Sequence, residues 1–335
     1  MKAVMAVAPG TLALGEIDIP APGEFEALVR MDACAICNST DQKLLHNEFC
    51  PGIFPVVLGH EVVGTVVEIG PSVRNFRAGD RVFRQRLGDQ HVSGGGRSCW
   101  GGFAQYGLVS DEWARQGVPY GSEDLPHDQQ KLLMNVPPAL AAGMVTLMEC
   151  LDCIAACGAG AGKSVAVVGS GPVAQALAMF ARLLGAGPVW AFGRRAAAAE
   201  RFATVSKIDG YASGADLPPA ASKIVNAGGF DLAVEAVGSP EALHTCLRLA
   251  GAKGRVCVYG VAPQSAPFRP DQTQRANVAF VGAREGRAQK RLVEWVQQGK
   301  VDLRDWVSHQ LPLGEFQKGF DLIASRQATK VVLLA

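Results

Sequence analysis

The chain has almost no net charge: 32 Lys plus Arg stand against 31 Asp plus Glu, a formal +1 over 335 residues. Charge this near balance gives no electrostatic reason to expect nucleic acid or an anionic membrane as a partner. No export signal is expected either. The opening MKAVMAVAPG offers only a six-residue apolar run before Pro9, too short for a signal-peptide core, and no uncharged apolar stretch reaches spanning length. The expectation is a cytoplasmic chain whose partner is a small molecule. Nine cysteines, an odd number, lack the density of a disulfide scaffold and fit reduced thiols. Internal repeats and low-complexity linkers are absent as well.

What is present has two textures, and the length suits two domains that each bury a core. From residue 1 to 148, short alternating segments such as EALVRMDACAI and GHEVVGTVVEIG predict a β-barrel-like domain, with the Gly-rich, polar stretch 84–135 read as loops. From 149 to 284, the strand-like runs SVAVVG, PVWAFG, FDLAVEAVG and GRVCVYG alternate with helix-like runs such as VAQALAMFARLLGA. That alternation predicts an α/β unit with a doubly wound parallel sheet. Residues 285–335 hold one amphipathic helix candidate, AQKRLVEWVQQGK, and a closing strand, KVVLLA.

SVAVVGSGPVAQALAMFARLLGA places Gly169, Gly171 and Ala174 in a GxGxxA arrangement directly after a strand. Pro172 sits where helix N-termini favour proline, and Val173, Leu177, Ala181 and Leu184 follow at helical spacing. Such a turn lets the backbone approach a pyrophosphate, and the helix N-terminus supplies free N–H groups; a tight turn that merely packs helix on sheet is the plainer alternative. The end of the second strand should discriminate between cofactors. An acid there would bond the ribose hydroxyls of NAD, but the chain has Gly193, Arg194 and Arg195, whose guanidinium groups suit a 2′-phosphate. The expectation is NADP(H), with NAD(H) possible.

A second constellation combines a thiol, an imidazole and a carboxylate: Cys37, His60 and Glu61. These are zinc-preferring ligand types, and a catalytic zinc site uses three protein groups while leaving a position for water or substrate. Cys150, Cys153 and Cys157 fall at i, i+3 and i+7, one face of a helix, and read as small buried thiols. Arg84, Arg86, Arg97 and Trp100 lie in the loop region expected to border a pocket, and Arg284 and Glu285 at the domain return; solvated loops explain these charges equally well.

These motifs occur in order with MKAV, GDRV, GGFAQYGLV, FDLAVEAVGSPEAL and QLPLGEFQKGFDLIASRQATKVVL. Together they resemble the zinc-dependent medium-chain dehydrogenases, the superfamily of alcohol, polyol and threonine dehydrogenases, over nearly the whole chain. The resemblance implies a GroES-like β-barrel catalytic domain, 1–148 completed by 285–335, and a Rossmann dinucleotide-binding domain, 149–284. It implies one catalytic Zn²⁺ and reversible hydride transfer between NADP(H) and a secondary alcohol of polyol, sugar or amino-alcohol type, or its ketone. It gives Glu149 a place near the metal, with a helix-cap or ion-pair role as the alternative, and sets Glu235, Ala236, Val237 and Gly238 beside the nicotinamide. His309 is expected to be structural, and a homodimer or homotetramer is implied.

Two departures stand out. Relatives read CxTD or CxSD after the ligand cysteine, whereas this chain reads CNSTD over 37–41. Ser39 keeps the spacing from Cys37 and Thr40 keeps adjacency to Asp41; either could relay the substrate proton, with Thr40 the favoured one. The structural-zinc lobe would need four cysteines around 85–115, where only Cys99 stands, so no structural zinc is expected. The competing readings are a zinc-free quinone or enoyl-type reductase of the same superfamily, and a non-catalytic NADPH-binding protein.

Overall fold

Branched residues pack well on a pleated surface, and the Val-rich run after His60 becomes the nine-residue strand Glu61–Ile69. The computed structural model describes every residue except 49–51, 93–95, 126, 215, 261–276 and 281–286. The chain divides into two compact units, Met1–Met148 with Arg284–Ala335, and Glu149–Ala283.

The spine of the first unit is the strand Glu26–Ala35. Its sheet runs in the order His309–Pro312, Val331–Leu334, Glu26–Ala35, Glu61–Ile69, Arg81–Phe83, and Tyr106–Ser110 also pairs with the spine. Register matters here. Ala35 lies opposite Glu61 on one side and Val332 on the other, both antiparallel. The end of the spine, the start of Glu61–Ile69 and the start of the closing strand therefore meet at one place. A second sheet, ordered Thr11–Glu16, Lys2–Ala8, Val56–Val57, Arg97–Ser98, belongs to the same unit. Val4, Met31, Leu58, Val62, Phe103, Phe320 and Leu333 form a shared buried core.

The loop reading of 84–135 needs correction. That stretch contains the strands Arg97–Ser98 and Tyr106–Ser110 and the helix Glu112–Gln116. Leu108 is paired opposite Leu28, so its backbone groups are satisfied in a sheet rather than by solvent.

In the second unit all sheet pairs are parallel, ordered Gly210–Ser213, Val189–Gly193, Val165–Val168, Phe230–Glu235, Ala250–Val258, Asn277–Phe280. The order reverses beside the first strand, giving a doubly wound sheet with its switch point there. The helix Pro172–Leu183 buries a continuous run from Ala174 to Ala181. Cys150 and Cys153 are buried in the helix Pro138–Ala156 and Cys157 just beyond it. That helix is long and apolar enough to cross a membrane by length and composition, yet most of it is buried within the protein.

Candidate functional site

Cys37 follows the spine strand by two residues, while Glu61 opens the neighbouring one and His60 immediately precedes it. Pairing of Ala35 with Glu61 brings the three together. The Cys37 Sγ, an imidazole nitrogen of His60 and a carboxylate oxygen of Glu61 lie within 4.8 Å of one another. Gly59 makes the approach sterically possible. It adopts φ +97°, and a Cβ there would stand 2.8 Å from the Phe103 amide nitrogen.

Asp41 orders the site from behind. Its Oδ2 accepts the Cys37 N–H at 2.8 Å, and its Oδ1 faces His60 Nδ1 at 3.5 Å, with the carboxylate fully out of water. With Asp41 on the Nδ1 side, His60 turns its Nε2 toward Glu61 Oε1, 4.0 Å away. Burial alone would push the His60 imidazole down, but Asp41 and then Cys37 outweigh it and hold the ring well above its ordinary value. A pocket that favours a proton on His60 is one whose charge also favours a cation. The Thr40 N–H points at Cys37 Sγ, 3.4 Å away, and the Trp100 ring sits 4.9 Å from the His60 ring. Soft sulfur and imidazole, with the Glu61 carboxylate beside them as ligand or exchangeable neighbour and Asp41 behind His60, fit zinc.

Glu61 has a partner that sequence reasoning missed. Lys330 Nζ donates to Glu61 Oε1 at 2.8 Å and Oε2 at 2.7 Å, and to Thr146 Oγ1 at 3.0 Å, all in the buried interior. Nothing local in TKVVL marks that lysine, because its partner is 269 residues away.

Ser39 occupies the position before the helix Thr40–Leu45 and makes no capping bond with its side chain; Thr40 is the first helical residue. Both are half-buried beside Cys37. Glu149 belongs to the second unit, where the Tyr259 hydroxyl donates to its Oε2 at 3.3 Å.

The glycine turn in the second unit has the backbone that its sequence foretells. Gly169 adopts φ +152°, and a Cβ there would meet that of Ala174 at 2.9 Å, which explains why a small residue stands at 174. Gly171 precedes the helix and Pro172 begins it, with Val173 in its first turn. Arg194 and Arg195 are exposed beside Gly193 at the end of the second strand. Arg195 lies back over the turn, its Nη2 donating to the Ser170 carbonyl and its Nε reaching Ser170 Oγ at 3.4 Å. The Tyr211 hydroxyl donates to the Arg195 carbonyl at 2.7 Å. Buried Glu235 accepts the N–H groups of Val237 at 2.7 Å and Gly238 at 2.8 Å, shaping a turn that leaves Val237 exposed. Ser170 and Tyr211 carried no signal of their own in the sequence.

The remaining charges divide. Arg84 and Arg86 share a single carboxylate, that of Asp128. His309 Nδ1 lies 3.0 Å from Ser308 Oγ in a strand, a structural setting. Arg284 and Glu285 lie outside the described residues.

Comparison with known proteins identifies the family. The family model "Alcohol dehydrogenase GroES-like domain" matches residues 23–119, and "Zinc-binding dehydrogenase" matches residues 172–298. D-arabinitol dehydrogenase 1 of Uromyces fabae is 28% identical over 360 residues, covering 99% of this chain and 97% of that protein. Among solved structures, the alcohol dehydrogenase TADH from Thermus sp. ATN1 is 26% identical with a TM-score of 0.79, covering 100% of this chain and 99% of that one. A protein described as a zinc-binding dehydrogenase of Sinorhizobium meliloti 1021, bound to NADP, is 27% identical with a TM-score of 0.75, again covering 100% and 99%. The chain, a GroES-like domain joined to a Rossmann-type domain, thus belongs to the zinc-dependent medium-chain dehydrogenase/reductase superfamily and is an oxidoreductase of the alcohol dehydrogenase type, acting on CH–OH donors.

Proposed function

We propose that the protein oxidises a secondary alcohol of polyol, sugar or amino-alcohol type, or reduces its ketone, with one catalytic Zn²⁺ and NADP(H). The observation that carries this reading is the Cys37, His60 and Glu61 cluster, with ligand atoms within 4.8 Å of each other and Asp41 behind His60. When bound, zinc supplies Lewis acidity at the substrate oxygen and the dinucleotide supplies the hydride carrier.

The chain's own residues do the rest. Cys37 and His60 hold the ion; Glu61 stands beside it as ligand or exchangeable neighbour. The hydroxyl of Thr40, or of Ser39, takes the substrate proton and passes it outward. Gly169, Gly171, Pro172 and Val173 receive the pyrophosphate, because the helix presents free N–H groups and a positive dipole end there. Gly193, Arg194 and Arg195 receive the 2′-phosphate, with NAD(H) as the weaker cofactor. The turn at Val237 and Gly238 offers an apolar surface to the nicotinamide. The division into catalytic residues 1–148 with 285–335 and cofactor-binding residues 149–284, a homodimer or homotetramer, and a cytoplasmic location complete the reading. The polyol relative and the NADP-bound relative support the substrate class and the cofactor.

The test is elemental analysis of protein purified without chelators, with parallel fluorescence titrations of NADPH and NADH. About one zinc per chain is expected, with tighter NADPH binding and turnover on polyols. Absence of zinc after reconstitution would defeat the reading. Zinc content of Glu149→Gln tests whether that acid serves as a further donor, as the resemblance suggests.

A further inference from the structure

Lys330 is 5% exposed and Glu61 1% exposed, so their pairing is an interior one. The ammonium donates twice to Glu61 and once to Thr146. Its backbone is held with equal care. Ser308 Oγ accepts from the N–H groups of Thr329 and Lys330 at 3.0 and 3.3 Å and donates to the Lys330 carbonyl at 3.0 Å. Asn38, adjacent to Cys37, donates to the Thr329 carbonyl at 2.8 Å, and the Ile36 N–H donates to the Val331 carbonyl at 2.9 Å. The backbone that carries Lys330 is thus tied to the loop that carries the ligand cysteine.

Nitrogen and oxygen ligands of one tetrahedral zinc stand about 3.4 Å apart, given metal–ligand bonds of roughly 2.0–2.1 Å. His60 Nε2 and Glu61 Oε1 are 4.0 Å apart, so the carboxylate is drawn back toward the lysine. Charge balance acts in the same direction. A divalent cation facing the Cys37 thiolate and the Asp41 and Glu61 carboxylates leaves one negative charge uncompensated, and Lys330 supplies the missing cation.

We propose that Lys330 is a positioning residue that restrains Glu61 beside the metal, so that the carboxylate does not occupy the coordination position a substrate oxygen needs. The inference rests on the metal reading above. Without Lys330, the buried Glu61 charge has the metal as its nearest cation and moves onto it.

The test compares wild type with Lys330→Met and Lys330→Arg, each stripped and reconstituted. In chelator competition Lys330→Met should bind Zn²⁺ roughly tenfold more tightly, within the range that partners of ligands command. Its Co²⁺ form should show an altered visible spectrum as an oxygen ligand enters, with lower turnover. Lys330→Arg should return affinity and spectrum toward wild type. Equal or weaker Zn²⁺ binding with an unchanged Co²⁺ spectrum, in a variant that keeps its circular dichroism and cooperative melting, would overturn the proposal. Should Lys330→Met fail to fold, Thr146→Val, which removes one of the three bonds, must shift the spectrum in the same direction; no shift overturns it. Failure of wild type to bind metal removes the metal reading itself, whatever the variants do.

Discussion

Asp41 shows how one side chain can organise a site without being a candidate ligand. It orients the Cys37 backbone through one oxygen and confronts His60 Nδ1 with the other. Asp41→Asn keeps the shape but removes the charge that makes the imidazole a strong donor. Zinc affinity should fall by about ten- to a hundredfold, measured by chelator competition, with melting changed little in the metal-free protein. The types of the proposed ligands were legible in the sequence, because Cys, His and Glu advertise their chemistry. The role of Asp41 was not: within CNSTD it only anchors the spacing of Thr40, and His60 becomes its partner through sheet register. Arg195 is a similar case. Its charge beside Gly193 suggested phosphate recognition, but its attachment to Ser170 emerged only when the second strand and the glycine turn were set side by side.

At the level of elements, the helix Pro172–Leu183 and the strands flanking it were readable because their signals are local: a glycine turn, a proline at the first helical position and apolar residues at helical spacing. The strands Arg97–Ser98 and Tyr106–Ser110 escaped that reading. Two to five residues among glycines carry too little periodicity, and their pairing is decided by distant partners. Just after the second of these, Asp111 joins two elements. Its side chain caps the helix Glu112–Gln116 at the Ala114 N–H and accepts three bonds from Arg74 and Asn75. Burial alone would raise this carboxyl, but the hydrogen bonds from Asn75, Arg74 and Ala114 hold it below the ordinary 3.8. The unfolded chain therefore binds the proton first as pH falls. The stability Asp111 contributes is complete above about pH 3.8 and is lost as the pH drops through its lowered native value. Asp111→Ala should cost roughly 3 kcal/mol at neutral pH through the lost cap and stranded N–H groups. Denaturant melts should show the gap between variant and wild type closing below pH 4. A gap independent of pH would count against this account.

At the scale of the whole molecule, the first unit is built from both ends of the chain. Val331, Val332 and Leu333 are fully buried, and their strand lies between His309–Pro312 and the spine Glu26–Ala35. Leu333→Ala should therefore cost about 3 kcal/mol, as truncation of a buried leucine does, and lower the melting transition of the first unit with no change in NADPH binding, measured by calorimetry and fluorescence titration. A loss below about 1 kcal/mol would mean that the closing strand is not part of the cooperative core. The sequence by itself determined the chemistry available: zinc-type donors near the N-terminus, a dinucleotide turn after a strand, two arginines where an acid would favour NAD, and an apolar closing strand. These are properties of residue type and short spacing. The tertiary structure alone decided which buried charges neutralise one another. Lys330 meets Glu61, and Asp41 meets His60, because antiparallel register on both sides of Ala35 brings three distant segments together. An isolated segment holds no record of that register, since pairing energy is collected only when the opposite strand arrives.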